Sequence, residues 1–155
     1  MRLHQFLKEE FLSDHLLSEN KEDVLAELID ALIASGLSMD RGKAIDVLEH
    51  REKLGSTGIG DGVAIPHGKV SGLSHLVVAF GRSKKGIPFN AVDGKLVHLF
   101  FLLLAPENST GRHLKVLAKI SKMLKMPDFR KKLIDAKTTG DLYRAIILQD
   151  ESCPT

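Results

Sequence analysis

The residues best suited to chemistry lie in the stretch GSTGIGDGVAIPHGKV, residues 55–70, where His67 stands between Pro66 and Gly68. A neutral imidazole serves as nucleophile, general base or metal ligand near neutral pH. Flanked by a residue of fixed φ and one with no side chain, the ring is held in place yet open to a second macromolecule. The chain has seven histidines. Most histidines in any fold do no chemistry, so position is what singles out His67: it follows a strand-like VAIP segment, and ligand sites of open α/β sheets gather at strand ends.

Around it, GIGDG invites a nucleotide-loop reading, in which backbone amides cradle a phosphate at a helix start. Such a loop needs a strand before it and a helix after it. Here a helical pattern precedes, strand-like VAIPH follows, and no Gly-Lys-Ser/Thr is present. Gly60, Gly62 and Gly68 are left with two readings: they turn the chain between helix and strand, or they bring bare backbone amides to a phosphoryl group beside His67. His113 opens the helix after LLLAPENSTGR, where the positive end of the helix lowers an imidazole pKa and attracts anions; it also fits as an ordinary exposed polar residue. Arg51 closes the helix before the glycines, within reach of folding toward His67, although cations are favoured at helix C-termini in any case.

Other chemistries find less support. Lys115, Lys119, Lys122, Lys125, Arg130, Lys131 and Lys132 form a basic stripe without interleaved aromatics. That reads as a solvated face rather than a nucleic-acid surface, and it leaves open a docking face for an acidic protein. A zinc site built from His67, His98 and His113 lacks any compact ligand pair. There is no Gly-x-Ser-x-Gly elbow, and the single cysteine, Cys153, lies in the polar ending QDESCPT.

The elements that must position these residues follow from periodicity. Val24, Leu25, Leu28, Ile29, Leu32 and Ile33 recur on one face, predicting a helix capped by Asn20 and ended by Gly36. Ser38 opens a second helix with Ala44, Ile45, Leu48 and Leu54 as its buried stripe. Val63 and Ile65 alternate in a short strand ending at Pro66. The runs HLVVAF (75–80) and KLVHLFFLLLA (95–105) are apolar enough to be strands covered on both faces. A helix over 109–125 is expected to turn Leu114, Leu117, Ala118, Ser121 and Leu124 inward and its lysines outward. A short helix over 128–136 follows, and then a last helix capped at Thr138 with Leu142, Ala145 and Ile146 inward. Strands between helical ends predict an α/β fold, a three-layer sandwich with a small mixed β-sheet flanked by helices on both faces.

At 155 residues, 43% hydrophobic and 27% charged with net charge +2, the chain fits one globular domain with no electrostatic preference for a class of partner. One cysteine permits no internal disulfide, so a reducing cytoplasm is the expected setting. The longest apolar run, LVHLFFLLLA, is about half of the ~20 residues a membrane span needs. The acidic start MRLHQFLKEEF has no cleavage site and is not expected to be a signal peptide.

The stretch REKLGSTGIGDGVAIPHGKV, with GRHLKVLAKISKML and TTGDLYRAI downstream, resembles enzyme IIA proteins of the bacterial phosphotransferase system, fructose/mannitol class (EIIA type 2). It is most similar to the nitrogen-regulatory branch, whose members are stand-alone domains. The resemblance covers nearly the whole chain and implies one EIIA type-2 domain over residues 1–149 with a polar tail over 150–155. It implies that His67 is the phosphorylated histidine, carrying phosphate on Nε2, that His113 is the second active-site histidine, and that Arg51 is the nearby arginine. Two positions depart from the pattern: Asp61 stands where a neutral residue is common, and Arg112 where Gln or Glu is frequent. Asp61 would repel a phosphoryl group it faced, so it is expected to point away. By the same resemblance the chain is a cytoplasmic phosphoryl carrier with no cofactor or metal, no nucleic-acid partner and no membrane insertion. It would be loaded by a histidine phosphocarrier protein (HPr or its nitrogen counterpart NPr). It would then regulate proteins such as those of potassium transport or sensor kinases by phosphorylation-dependent contact. The alternatives are a sugar-specific IIA that passes phosphate to a IIB domain for fructose or mannitol uptake, and a non-catalytic binding module.

Overall fold

The structure, a computed structural model, describes residues 1–153. After two 3-10 turns at Leu3–Gln5 and Glu9–Phe11 the elements run β1 (Leu12–Ser13), α1 (Lys21–Ala34), α2 (Arg41–Lys53), β2 (Gly58–Gly60), β3 (Val63–Ala64), β4 (His67–Val70), β5 (Val77–Ile87), β6 (Val97–Pro106), α3 (Arg112–Leu124), α4 (Pro127–Asp135) and α5 (Thr139–Ser152). The sheet is mixed and open. Its order is β1-β5-β6-β3-β2, with β4 also paired to β6. β5 and β6 run antiparallel, while β3 and β4 both run parallel to β6.

Neighbouring residues of β5 show the three layers. Gly81 lies against Leu16, before α1, and Leu28 of α1, close enough that an added Cβ would come within 2.8 Å of each. On the opposite face Arg82 donates to Asp14 O, to Leu133 O and Ile134 O in the last turn of α4, and to Ala136 O at its C-cap. Side chains alternate across a strand, so α1 covers one face of the sheet and α4 the other. Between them Phe80, Phe89, Phe100 and Phe101 are fully buried, with edge-on ring pairs Phe80–Phe101 and Phe89–Phe100.

α1 begins and ends where its sequence signals place it. Asn20 accepts the Asp23 N–H at 2.8 Å. Gly36 at φ 102° closes the helix with Leu37 N–H on Leu32 O and Gly36 N–H on Ile33 O, the paired bonds of a Schellman end. Several other expectations are corrected. α2 starts at Arg41, capped by Asp40 rather than opened at Ser38. Leu54, expected in the buried stripe, is 74% exposed because it lies past the last turn, on the C-cap.

α3 is rotated from its expected orientation and starts at Arg112. Val116, Lys119, Ile120, Met123 and Leu124 face inward, while Leu114 and Ala118 are exposed. Lys119, expected outward, is buried in an ion pair with Asp150 of α5 and donates to Met1 O at 2.8 Å. Asp150 also accepts the Leu3 N–H at 2.7 Å. α5 therefore runs on through Ser152 and buries both Asp150 and Cys153, in the stretch expected to be a polar tail. The remaining two residues of that tail, 154 and 155, lie outside the described residues.

The Lys119–Asp150 pair ties α3, α5 and the N-terminal segment at one buried point. Lys119→Ala leaves that carboxylate without its cation and is expected to cost about 3–5 kcal/mol in urea unfolding. Lys119→Met with Asp150→Asn, which keeps an acceptor for Leu3, is expected to recover much of the loss. A loss below about 1 kcal/mol for the single variant contradicts the role assigned to the pair.

Candidate functional site

β3 and β4 are one extended line with a break at Ile65–Pro66. Val63 and Ala64 pair with Leu99 and Phe100, and the same register resumes with His67 opposite Leu103. Pro66 lacks an N–H and interrupts the ladder, but its carbonyl still accepts from Leu103 N at 3.0 Å. His67 is thus the first residue of β4, not the end of a strand, and it lies toward the C-terminal half of β6. Its Nδ1 is 2.8 Å from the Ile65 carbonyl. A carbonyl can only accept, so the Nδ1 carries the proton and Nε2 keeps the lone pair. The ring is half-buried.

Gly68 explains why α2 can lie close to this strand. A Cβ there would come within 2.4 Å of Val47 Cγ1, so helix and strand approach through the missing side chain. Arg51 follows Val47 by one turn of the same helix and donates to Gly55 O at 2.9 Å, satisfying a carbonyl just past the helix end. Among the described hydrogen bonds, this is the one its guanidinium makes.

The segment after Arg51 is fixed by a buried carboxylate. Glu52 accepts the Thr57 N–H at 3.0 Å and the Thr57 hydroxyl, and Lys21 reaches it at 3.0 Å. The same ammonium lies 4.6 Å from the centre of the Phe89 ring. Thr57 in turn accepts the Ile65 N–H at 3.1 Å.

His113 stands in the first turn of α3, with Nδ1 2.9 Å from Ser109 Oγ. Its pKa is lowered from 6.5, first by burial, then by the positive charge of Lys69 and by His67. The structure therefore brings His67, Lys69 and His113 into one electrostatic neighbourhood. Lys69 and Ser109 are absent from the sequence reading, yet each carries a local signal. Lys69 is two residues along the strand from His67, hence on the same face, and Ser109 is one turn before His113.

Gly60 and Gly62 are not part of this neighbourhood. With Asp61 they form the tight turn between β2 and β3, at φ 94°, 57° and 76° for residues 60, 61 and 62. The Gly62 carbonyl accepts from His98 and Leu99, about 13 Å along β6 from the residue opposite His67 at the usual strand rise. Asp61 is exposed at that far turn, and its N–H is taken by Asp93 Oδ2 at 3.0 Å. His98 lies at the same far end, with Nδ1 on Ser83 O at 2.9 Å, so the structure does not join it to His67 and His113. Arg112 lays its guanidinium 4.9 Å from the centre of the Phe6 ring. Among the described residues, no group of three His, Cys, Asp or Glu side chains is placed to hold a metal ion, and no helix is long and apolar enough to cross a membrane.

Residues 5–149 match the family model for the phosphoenolpyruvate-dependent sugar phosphotransferase system, EIIA 2. The chain is 42% identical over 130 residues to a nitrogen regulatory protein of Bradyrhizobium diazoefficiens, covering 83% of this chain and 84% of that one. It is 34% identical over 151 residues to the fructose-specific EIIABC component of Bacillus subtilis, covering 97% of this chain but only 24% of that longer protein. A crystal structure of the nitrogen regulatory protein IIA-Ntr from Neisseria meningitidis superposes with a TM-score of 0.85 at 34% identity, covering 93% of this chain and 98% of that one.

Two measurements check this geometry. In an NMR titration His113 is expected to titrate below 6.5, and Lys69→Ala to move it part of the way back, since burial is the larger cause. Because the folded state holds its proton less tightly than the unfolded chain, His113 lowers stability as pH falls below about 6.5 and has no effect well above it. Gly68→Ala is expected to cost about 1–3 kcal/mol by overpacking against Val47, and Val47→Ala in the same chain to relieve it. Additive losses in the double variant contradict the contact.

Proposed function

This chain belongs to the phosphotransferase system EIIA 2 family, and from that premise we propose that His67 accepts a phosphoryl group on Nε2 from a histidine phosphocarrier protein of the HPr or NPr kind. One observation carries the reading: the His67 Nδ1–H bond to Ile65 O, which leaves Nε2 as the free nucleophilic nitrogen. In the transfer, the bond from phosphorus to the donor's ring nitrogen breaks as the bond to Nε2 of His67 forms. The donor ring regains its lone pair, while the His67 ring becomes cationic and keeps the Nδ1 proton on the Ile65 carbonyl. No proton has to move, and the loose transition state is stabilised by position and by nearby charge.

The neighbours suit that role. His113 offers a neutral ring near pH 7 at the positive end of α3, and Lys69 places an ammonium on the same strand face as His67. Arg51, whose described contact is to Gly55 O, is assigned by the family resemblance as a third donor for the phosphoryl oxygens, a role that requires it to leave that contact. Of the glycines, Gly68 serves the site through packing, whereas the position of Gly60 and Gly62 argues against direct phosphate contact. The 42% identity to a nitrogen regulatory protein over 84% of that protein's length and the likeness to a IIA-Ntr crystal structure at 34% identity support a nitrogen-type regulator. Such a protein acts in the cytoplasm through phosphorylation-dependent contacts with partners such as potassium-transport or sensor-kinase proteins. The match to a fructose-specific component over 97% of the chain supports a second reading, a IIA that hands its phosphate to a IIB domain.

Incubation with labelled phosphoenolpyruvate, enzyme I and a panel of histidine carriers tests the reading. The parent protein is expected to take up acid-labile label, His67→Ala none, and His113→Ala to label slowly or lose label quickly. Preference for a nitrogen-type carrier supports the regulator, and onward transfer to a fructose IIB domain supports the sugar reading. Full labelling of His67→Ala would falsify the assignment.

A further inference from the structure

The Glu52 carboxylate is buried, charged and costly to keep there, yet it touches neither His67 nor His113. What it holds is Thr57, by both the backbone N–H and the hydroxyl, while Lys21 neutralises it from α1. Thr57 is the residue whose carbonyl takes the Ile65 N–H. On the far side of Ile65 the Pro66 carbonyl is fixed to Leu103 of β6, and the Pro66 ring removes the one amide that could have competed for partners. Ile65 itself is buried among apolar neighbours. Its carbonyl direction is therefore set from both ends, by Thr57 before it and by β6 after it. That carbonyl is the acceptor for His67 Nδ1–H.

From this chain of contacts we infer that Glu52 is a positioning residue for His67: acting through Thr57 and the Ile65 backbone, it selects the tautomer with the proton on Nδ1 and the lone pair on Nε2. The inference rests on reading His67 as the phosphoryl acceptor. A tautomer is set by the hydrogen bond at the other ring nitrogen. An imidazole whose carbonyl partner swings away divides its population between two forms, only one of which presents a nucleophilic Nε2. The arrangement also accounts for a buried carboxylate, paired with a half-buried lysine of α1, at the place where the chain leaves α2 for the site-bearing strands.

The test uses the full chain with Glu52→Gln, Thr57→Val and Thr57→Ser. Thr57→Val keeps shape and backbone bonds but removes the hydroxyl from the carboxylate, and Thr57→Ser restores it. Two readouts are taken for each folded variant: the ring-nitrogen tautomer of His67 from long-range 1H–15N spectra, and the single-turnover rate of phosphoryl acceptance from a phosphorylated carrier. Glu52→Gln and Thr57→Val are expected to move His67 toward the Nε2–H form. They are also expected to slow acceptance on the order of tenfold, the scale usual for outer partners of a functional histidine, with little change in carrier KM. Thr57→Ser is expected to behave as the parent. If both slow variants keep the parent tautomer and rate, or if they lose stability with the tautomer unchanged, the positioning role is overturned and the network is structural only. Labelling of His67→Ala, run alongside, separates failure of this inference from failure of the acceptor assignment.

Discussion

The hydrogen bond from His67 Nδ1 to the Ile65 carbonyl is the constraint around which the site is built. An isolated histidine exchanges between two tautomers and rotates freely; this one is committed to a single face and a single free nitrogen. The carbonyl at Ile65 is free to serve because it faces away from β6, on the side where the Ile65 N–H goes to Thr57, while the Gly62 and Pro66 carbonyls take the β6 amides and keep the register. The outward carbonyl of this edge-side strand thus serves as a histidine clamp.

The elements around this clamp are packed to support it. Gly68 lets α2 press onto β4, which fixes the strand from one face. The Glu52–Thr57 contacts secure the chain leaving α2, and the same helix carries Arg51 one residue before. From the other direction α3 brings His113 and its helix end near Lys69 and His67. α3 in turn is anchored deep in the domain by Lys119 on Asp150. A functional site needs a firm scaffold under exposed chemistry, and here the two ion pairs and the close glycine contacts supply the firmness.

Much of this was legible in the residues, and the rest was illegible for physical reasons. α1, with its asparagine cap and glycine end, and the apolar cores of β5 and β6 carry local signals that the fold obeys. α3 does not, because RHLKVLAKISKML offers two apolar stripes, one through Leu114 and Leu117 and one through Val116, Ile120 and Met123. The choice between them is made by the sheet and by a buried carboxylate on α5, neither of which is local. The same long-range partner makes Lys119 a buried residue in an outwardly basic run. At the site, His67 and His113 could be singled out by position and Lys69 and Ser109 stand at local spacings from them, whereas Glu52 connects to Ile65 only through Thr57. The three glycines look alike in sequence and differ in space: Gly68 is a packing contact, while Gly60 and Gly62 build a distant turn where the Asp61 amide is already taken by Asp93.

The most direct measurement is the identity of the phosphorylated nitrogen. Protein with 15N-labelled histidine is phosphorylated through a carrier and read by 31P–15N coupling. Coupling to Nε2 of His67 alone, with Nδ1 still protonated, is the predicted result. Phosphorus bonded to Nδ1 of His67, or to either nitrogen of His113, contradicts the acceptor geometry that the Ile65 carbonyl imposes.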